Sequence, residues 1–334
     1  MLKLALPGKS TYINSTIKNS KGIRSSVTQL AKFIGKMMET KKKIVATQNL
    51  NFSIISMVEE IAFVVMAAGI GSRYNGTKQL ETFGESKLTI AEYNMQHAIG
   101  AGFRRFYFVI DDKFAEIFHG RLKNFLPSNC KCELIYQRKE ESLTKFCNRK
   151  KPWGTGHAVM CCGRLVDCNF CVTNADDLYG HDAISRMAEF LRSTGKKSQT
   201  FANVAYVLAE TLSGNGTVSR GVLSIDRDSY LTSIDEIHGV AMDAHGETVP
   251  PRDSLVSMNL WGFTPEIFKL LEEGWHRFKQ NISDVANDEF GISNFIDSAV
   301  KKGQCRVKIL NTSSKWYGVT YQTDRAPIEK ILSK

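Results

Sequence analysis

The chain has 334 residues, 43% of them hydrophobic, enough for one large α/β domain or two ordinary ones and too apolar for wholesale disorder. No apolar run reaches the roughly 18 residues that a membrane-spanning helix needs, so a soluble protein without a membrane partner is expected. The net charge of +10 is concentrated: ten of the 44 Lys and Arg, but only Glu39 among the acids, fall in residues 1–58, leaving 34 basic against 33 acidic groups in a body that gives no reason to expect nucleic acid.

Residues 1–58 are rich in Ser, Thr, Asn and Lys and carry the basic run Lys41-Lys42-Lys43. An organellar targeting segment, a disordered basic tail and an upstream start not used when Met57 serves instead all fit that composition. The expected organisation is this basic extension followed by a domain over 59–334. The expected location is cytoplasmic, or organellar if 1–58 is a transit segment.

From residue 59 strands and helices alternate. Ile61–Met66 (IAFVVM) is a continuous apolar run, as a strand covered on both faces must be. A glycine loop follows, then a helix over Thr89–Gly100, a strand over Arg105–Ile110, a helix over Lys113–Phe125 and a strand over Cys132–Tyr136. Residues 140–151 are polar and read as a loop. Thr155–Leu165 reads as a helix and Asn169–Asn174 as another buried strand. This alternation predicts a doubly wound, mostly parallel Rossmann-like sheet. Further on, strands at Gly221–Ile225, Leu231–Ile234 and Leu255–Phe263 have short turns, indicating a mixed, partly antiparallel half. Helices over Pro265–Phe278 and Ile292–Lys301, a strand over Arg306–Leu310 and a helix over Ala326–Leu332 complete it. The two halves divide as 59–180 and 181–334.

Three segments carry chemistry. Ala67-Ala68-Gly69-Ile70-Gly71-Ser72-Arg73, continuing to Lys78-Gln79, follows the first strand at the carboxyl edge of the sheet, where α/β folds bind ligands. Glycines there let backbone N–H groups approach phosphate oxygens, and Arg73 and Lys78 add fixed positive charge. A dinucleotide fingerprint fails at Tyr74, and a Walker loop fails because Thr77 precedes Lys78. A triphosphate loop of another type and an ordinary glycine turn remain. In Lys151-Pro152-Trp153-Gly154-Thr155-Gly156-His157, two glycines flank a Thr at a helix start. Its amides suit a base edge or an anion, or simply begin a helix. Trp153 would stack on a base or fill a crevice. In Asn174-Ala175-Asp176-Asp177, adjacent carboxylates stand just past a buried strand. One suits Mg²⁺ held against triphosphate oxygens, and either suits a turn or cap. Cys168 and Cys171 form a CxxC, but three-apart residues on a strand face opposite sides, which favours reduced core thiols over zinc.

Together these segments resemble the sugar-phosphate nucleotidyltransferases over nearly all of 59–334, and most closely their uridylyl- and thymidylyl-transferring branch. AAGIGSR with Lys78 is similar to the family's signature loop, KPWGTGHAV to its base-binding segment and NADD to its metal-binding strand end. TLSGNGTVSRGV, LTSIDEI, SLVSMNLWGFTPEIF and KWYGVTY follow in the family's order. The resemblance implies an Mg²⁺-dependent enzyme acting on a nucleoside triphosphate and a sugar-1-phosphate. It assigns Gly69, Gly71 and Arg73 to the triphosphate, Lys78 to phosphate charge, Gln137 and Gly154 to the base, and Ala68 and Thr155 to the nucleotide site. Asp176 would hold the metal, and Gly221, Glu236 and Asn259 the sugar.

Three departures stand out. The family supplies a late second metal-binding Asp or Asn where this chain reads Tyr317-Gly318-Val319-Thr320, with Asp324 the nearest carboxylate. Many relatives follow the sugar-binding Glu with a basic residue, where this chain has Ile237 and His238. An insertion separates Gln137 from Gly154. These keep a second reading open: a non-catalytic relative that binds nucleotide or nucleotide-sugar and acts as a regulator. His157 and His238 are expected to be structural, because the chemistry needs no imidazole.

Overall fold

A computed structural model describes residues 59–69, 80–137, 149, 151–212, 216–243, 246–318 and 325–332. In chain order the elements are β1 (Ile61–Met66), β2 (Thr82–Phe83), β3 (Leu88–Thr89), α1 (Ile90–Gly100), β4 (Arg105–Ile110), α2 (Ala115–Phe125), β5 (Lys131–Tyr136), α3 (Thr155–Cys161), β6 (Asn169–Asn174) and β7 (Asp177–Leu178). Then come α4 (His181–Ser193), β8 (Thr200–Val207), β9 (Val218–Ile225), β10 (Leu231–Val240), β11 (Leu255–Phe263), α5 (Glu266–Gln280), α6 (Ile292–Lys301), β12 (Arg306–Asn311), β13 (Tyr317–Gly318) and α7 (Arg325–Leu332).

Strand β1 is central because every one of its residues is apolar and buried. It pairs in parallel with β4 on one side and β6 on the other, and β4 pairs in parallel with β5. Its alternate side chains enter two cores. Ala62, Val64 and Met66 pack with Trp153, Val159, Phe268 and Ile296; Ile61, Phe63 and Val65 pack with Met95, Phe103, Phe118 and Met187. The sheet therefore carries α3, α5 and α6 on one face and α1, α2 and α4 on the other, the doubly wound arrangement that the alternation predicts. Cys168 and Cys171 fall into opposite cores, and the seven described cysteines are free thiols.

The second half continues the same sheet with antiparallel strands. β11 runs antiparallel to β6, β8 and β9, β10 closes the edge on β9, and β12 pairs in parallel with β8. β11 is forked. Val256 and Ser257 pair with β9, whereas Trp261, Gly262 and Phe263 pair with β6. The register against β8 slips between Ser257 and Trp261, and Asn259 in the slip takes a left-handed φ of 62°. Asn tolerates that conformation better than most residues.

The sequence reading assigns no element to 181–193 or 200–207, and both are ordered. α4 buries Ala183, Ile184, Met187, Ala188 and Leu191, a helical spacing. β8 lies between β11 and β12. The helix expected over 155–165 stops at Cys161 and ends in a 3₁₀ turn, Cys162–Arg164. A side chain at Gly163 would lie 3.2 Å from the Phe268 ring, so helix and ring approach closely there.

Candidate functional site

Parallel strands bring the carboxyl-end loops of β1, β5 and β6 to one edge of the sheet. Met66 is in register with Asn174, so Ala68 and Gly69 leave β1 beside the Asn174–Asp177 turn. The Ala67 amide donates to Val109 O (2.8 Å) and the Ala175 amide to Met66 O (3.1 Å), which extends the pairing to the lip. Ala68 is buried and Gly69 exposed, and a Cβ on Gly69 would meet no described atom within 4 Å. Gly71, Arg73 and Lys78 lie outside the described residues.

The two carboxylates past β6 differ. Asp177 is buried. Its Oδ2 accepts from Asn174 Nδ2 (2.7 Å) and faces the Tyr179 hydroxyl at 3.4 Å, and its backbone carbonyl accepts from Asn94 Nδ2 (2.6 Å). Asp176 is half-exposed. Tyr179 ties this turn to the fork: its hydroxyl accepts from the Asn174 amide (3.1 Å) and donates to Met258 O (2.9 Å). Burial, reinforced by Asp177, pushes its pKa well up, so it remains a donor. Nothing in the sequence pointed to Tyr179 or Asn94, and the structural role open to either carboxylate falls to Asp177. The adjacent Asp pair was the visible signal, but which carboxylate turns inward depends on residues about 80 positions away.

β7 pairs with β13, placing Gly318 opposite Asp177. A Cβ on Gly318 would lie 2.3 Å from the Trp316 ring and 3.0 Å from Asp177 Oδ1. Position 318 therefore has no room for a carboxylate. Thr320 and Asp324 lie outside the described residues. The approach to β13 is fixed by α4: Ser314 Oγ accepts from the Asp182 amide (3.1 Å), and Asp182 Oδ2 accepts from Thr312 Oγ1 and the Ser313 amide (both 2.8 Å).

At the other flank, Gln137 is buried at the end of β5. Its Nε2 donates to Gly154 O (2.9 Å) and lies 3.3 Å from His157 Nδ1. Because a carbonyl only accepts, the amide orientation is fixed with Oε1 turned away from Gly154. Gly154 (φ +101°) and Gly156 are glycines because Cβ atoms there would lie 2.8 Å from Phe290 O. The Phe290 amide donates to Trp153 O (2.7 Å), the Gly156 amide donates to Phe290 O, and Thr155 Oγ1 accepts from the Ile292 amide, so the Thr155 hydroxyl serves the start of α6. Trp153 fills a crevice: it is 1% exposed, packs against Trp275 and Phe278, and carries the Arg149 guanidinium 4.0 Å from its ring centroid. Arg149 donates to the carbonyls of Lys151, Pro152 and Val285, clamping this turn to the 285–290 segment. His157 is buried against Trp275, whereas His238 is exposed beside Ser219 Oγ.

Beyond the fork, one row crosses the sheet: Glu236 on β10, Gly221 on β9 and Ser257 on β11 are register partners. The place of a Gly221 Cβ lies 3.2 Å from Ile234 Cγ2, 3.4 Å from Glu236 Oε2 and 4.0 Å from Ser257 Cβ, so glycine here lets the side chains of the neighbouring strands close over the backbone. Ser257 Oγ accepts from Asn203 Nδ2 at 2.9 Å, and Asn259 Oδ1 from Trp261 Nε1 at 3.3 Å. The Tyr179 hydroxyl, bonded to both the Asn174 amide and Met258 O, holds the residue before Asn259 at the end of β6. The structure thus brings Gly69, Asp176, Asn259, Gly221 and Glu236 along one edge, with Gln137 and Gly154 on its other flank. Among the described residues, no group of three or more His, Cys, Asp or Glu side chains is arranged to hold a metal, and no helix is long and apolar enough to cross a membrane.

Residues 62–319 match the nucleotidyl transferase family model. No curated protein matches the chain significantly. Among solved structures, the inositol-1-phosphate CTP transferase from T. maritima is 14% identical with a TM-score of 0.58, covering 83% of this chain and 96% of its own. A UDP-glucose pyrophosphorylase complexed with UDP-glucose is 18% identical with a TM-score of 0.56, covering 81% and 98%. A Bacillus anthracis protein described as a glucose-1-phosphate thymidylyltransferase is 13% identical with a TM-score of 0.56, covering 82% and 96%. Those identities speak for a shared fold. The family match extends over most of the chain and includes both the strand-edge turn and the fork: this protein belongs to the nucleotidyl transferase family.

Proposed function

We propose that the chain transfers a uridylyl or thymidylyl group from UTP or dTTP to a sugar-1-phosphate, releasing pyrophosphate. The observation that carries this reading is the fork in β11. It sets the register row Glu236–Gly221–Ser257 on the far side of Asn259 from a half-exposed carboxylate past the end of β6. The neighbouring strand ends in Ala68-Gly69, whose backbone suits phosphate oxygens. A nucleotide on the β1 side and a sugar on the β9 side would meet beside Asp176.

The nucleophile, a sugar-phosphate oxygen, is already anionic, so attack on the α-phosphorus needs no protein base. The residues position the reactants. Gln137 and the Gly154 turn form the base side, Gly221, Glu236 and Asn259 the sugar side, and Arg73 and Lys78 would offset charge on the leaving pyrophosphate. Asp176 fits an Mg²⁺ ligand, since that ion takes one or two carboxylates together with substrate phosphates and Asp177 is committed inward. Mg²⁺ bound there would polarise the α-phosphate.

A second reading, a regulator that binds nucleotide without turnover, draws on Gly318, where no carboxylate fits. Asp176→Ala separates the two. In the enzyme it removes turnover by about 10²-fold or more while leaving Mg²⁺-free UTP binding within a few-fold. Undiminished turnover would overturn the assignment of Asp176.

A further inference from the structure

The helix α7 has eight residues, and a helix of that length is marginal in water on its own. Docking holds it. Arg325 Nη1 donates to Glu81 Oε1, and Nη2 donates to Thr82 O (3.2 Å) and to Glu329 Oε1 (3.0 Å). The guanidinium carbon lies 5.3 Å from the centroid of the Phe83 ring. One turn on, Ile328 is 1% exposed. Near the end of the helix, a Cβ on Gly84 would lie 2.9 Å from Leu332 O and 2.7 Å from the Tyr93 hydroxyl, so α7 meets the β2–β3 turn backbone to backbone.

Ile328 belongs to a third core, separate from the two that flank the main sheet. It packs there with Phe83, Ile90, Tyr93 and Leu178, and Tyr317 and Leu332 lie at the margin. Phe83 is in β2, Leu178 in β7 and Tyr317 in β13. These strands and β3 are two residues long and form two ribbons, β2–β3 and β7–β13, outside the main sheet. A two-stranded ribbon has little stability alone and needs a packed face. The small core built on α7 gives one to both ribbons.

The two ribbons continue from the residues that the proposed reaction sets on phosphate and metal. Glu81 follows Lys78 by three residues, and Leu178 follows Asp176 by two. Glu81 also makes the fastening specific. Its Oε2 is buried with no hydrogen-bond partner among the described residues, so the Arg325 guanidinium on Oε1 is what compensates a largely desolvated carboxylate. We propose that α7 braces the nucleotide side of the site, with Arg325 as a positioning residue: through Glu81 and the Ile328 core it holds β2 and β7 where Lys78 and Asp176 can meet a metal-bound nucleotide. The effect on nucleotide rests on the nucleotidyl-transfer reading, whereas the brace rests on packing alone.

The test pairs amide hydrogen exchange with equilibrium binding of UTP in Mg²⁺, on the full chain, for the wild type, Arg325→Met, Arg325→Lys, Glu81→Gln and the double variant Glu81→Gln/Arg325→Met. In Arg325→Met, exchange should speed up across β2–β3 and β7–β13 and stay unchanged along β1 and β6, and UTP should bind about three- to thirtyfold more weakly. Arg325→Lys keeps the charge but not the fork and should fall between. Glu81→Gln breaks the same contact, so the double variant should bind UTP no more weakly than Arg325→Met alone. Where Arg325→Met does not fold, Glu81→Gln reads the contact from its other side. Four results would overturn the positioning role: unchanged exchange in both ribbons, exchange that speeds up throughout the main sheet, unchanged UTP affinity where the ribbons loosen, or single-variant losses that multiply in the double variant. A wild-type chain that binds no UTP would discard the nucleotide reading and the positioning role with it, while exchange would still report the brace. Arg325-dependent UTP binding in a chain that releases no pyrophosphate would keep the positioning role and discard the transfer reaction.

Discussion

Gly154 and Gly156, at the start of α3, and Gly69, after β1, occupy glycine-marked segments at one edge of the sheet, yet their surroundings differ. The first pair is glycine for packing: Phe290 comes so close that a Cβ at either position would lie 2.8 Å from its carbonyl oxygen. Gly69 has no described atom within 4 Å of where its Cβ would lie and no positive φ that demands glycine. In sequence, both turns are a glycine pattern at a strand–helix junction. The packing glycines are thus explained by the described residues around them, and Gly69 is not.

Substitution breaks or sharpens this contrast. Gly154→Ala combines strain at φ +101° with overlap on Phe290, so it should cost about 3 kcal/mol and lower the melting temperature by roughly 6–12 °C. Gly69→Ala should change stability by less than ~0.5 kcal/mol while weakening UTP binding. Equal melting temperatures for the two variants would erase the distinction. Arg149→Ala should also destabilise by about 3 kcal/mol, because three carbonyls and the Trp153 face lose their partner. Its signature is loss of the Gly154 turn, seen as faster amide exchange at Gly156 and Phe290. Tyr179→Phe leaves the Asn174 amide and the Met258 carbonyl without the hydroxyl, which should cost ~1–3 kcal/mol in denaturant unfolding. The smallest effect belongs to Asp182. The Ser313 amide, then Thr312 and Arg186, hold its carboxyl below the usual range. A depressed folded pKa stabilises above the ordinary value of about 3.9 and is lost as pH falls below it. The side chain is 31% exposed, so Asp182→Asn should remove no more than ~1 kcal/mol at neutral pH and flatten stability below pH 4.

Local pattern made much of the fold legible. The all-apolar run of β1, the α1 helix after Thr89 and the β6 strand before the two carboxylates all lie where alternation and capping put them. Long-range pairing was not legible. The fork in β11 exists because one strand changes partner between Ser257 and Trp261, and no spacing in 255–263 announces that β9 and β6 compete for the same side. For the same reason the packing of the turn at Gly154-Thr155 was not legible. Its partner, Ile292, is 137 residues away, and only the fold shows that the Thr155 hydroxyl serves α6.

The most direct test of the central claim is pyrophosphate release by the full chain with Mg²⁺, a panel of nucleoside triphosphates and a mixed pool of sugar-1-phosphates. The account predicts release only when UTP or dTTP and a sugar phosphate are present together. No release with any pair, alongside clear UTP binding, would contradict it and leave a nucleotide-binding regulator.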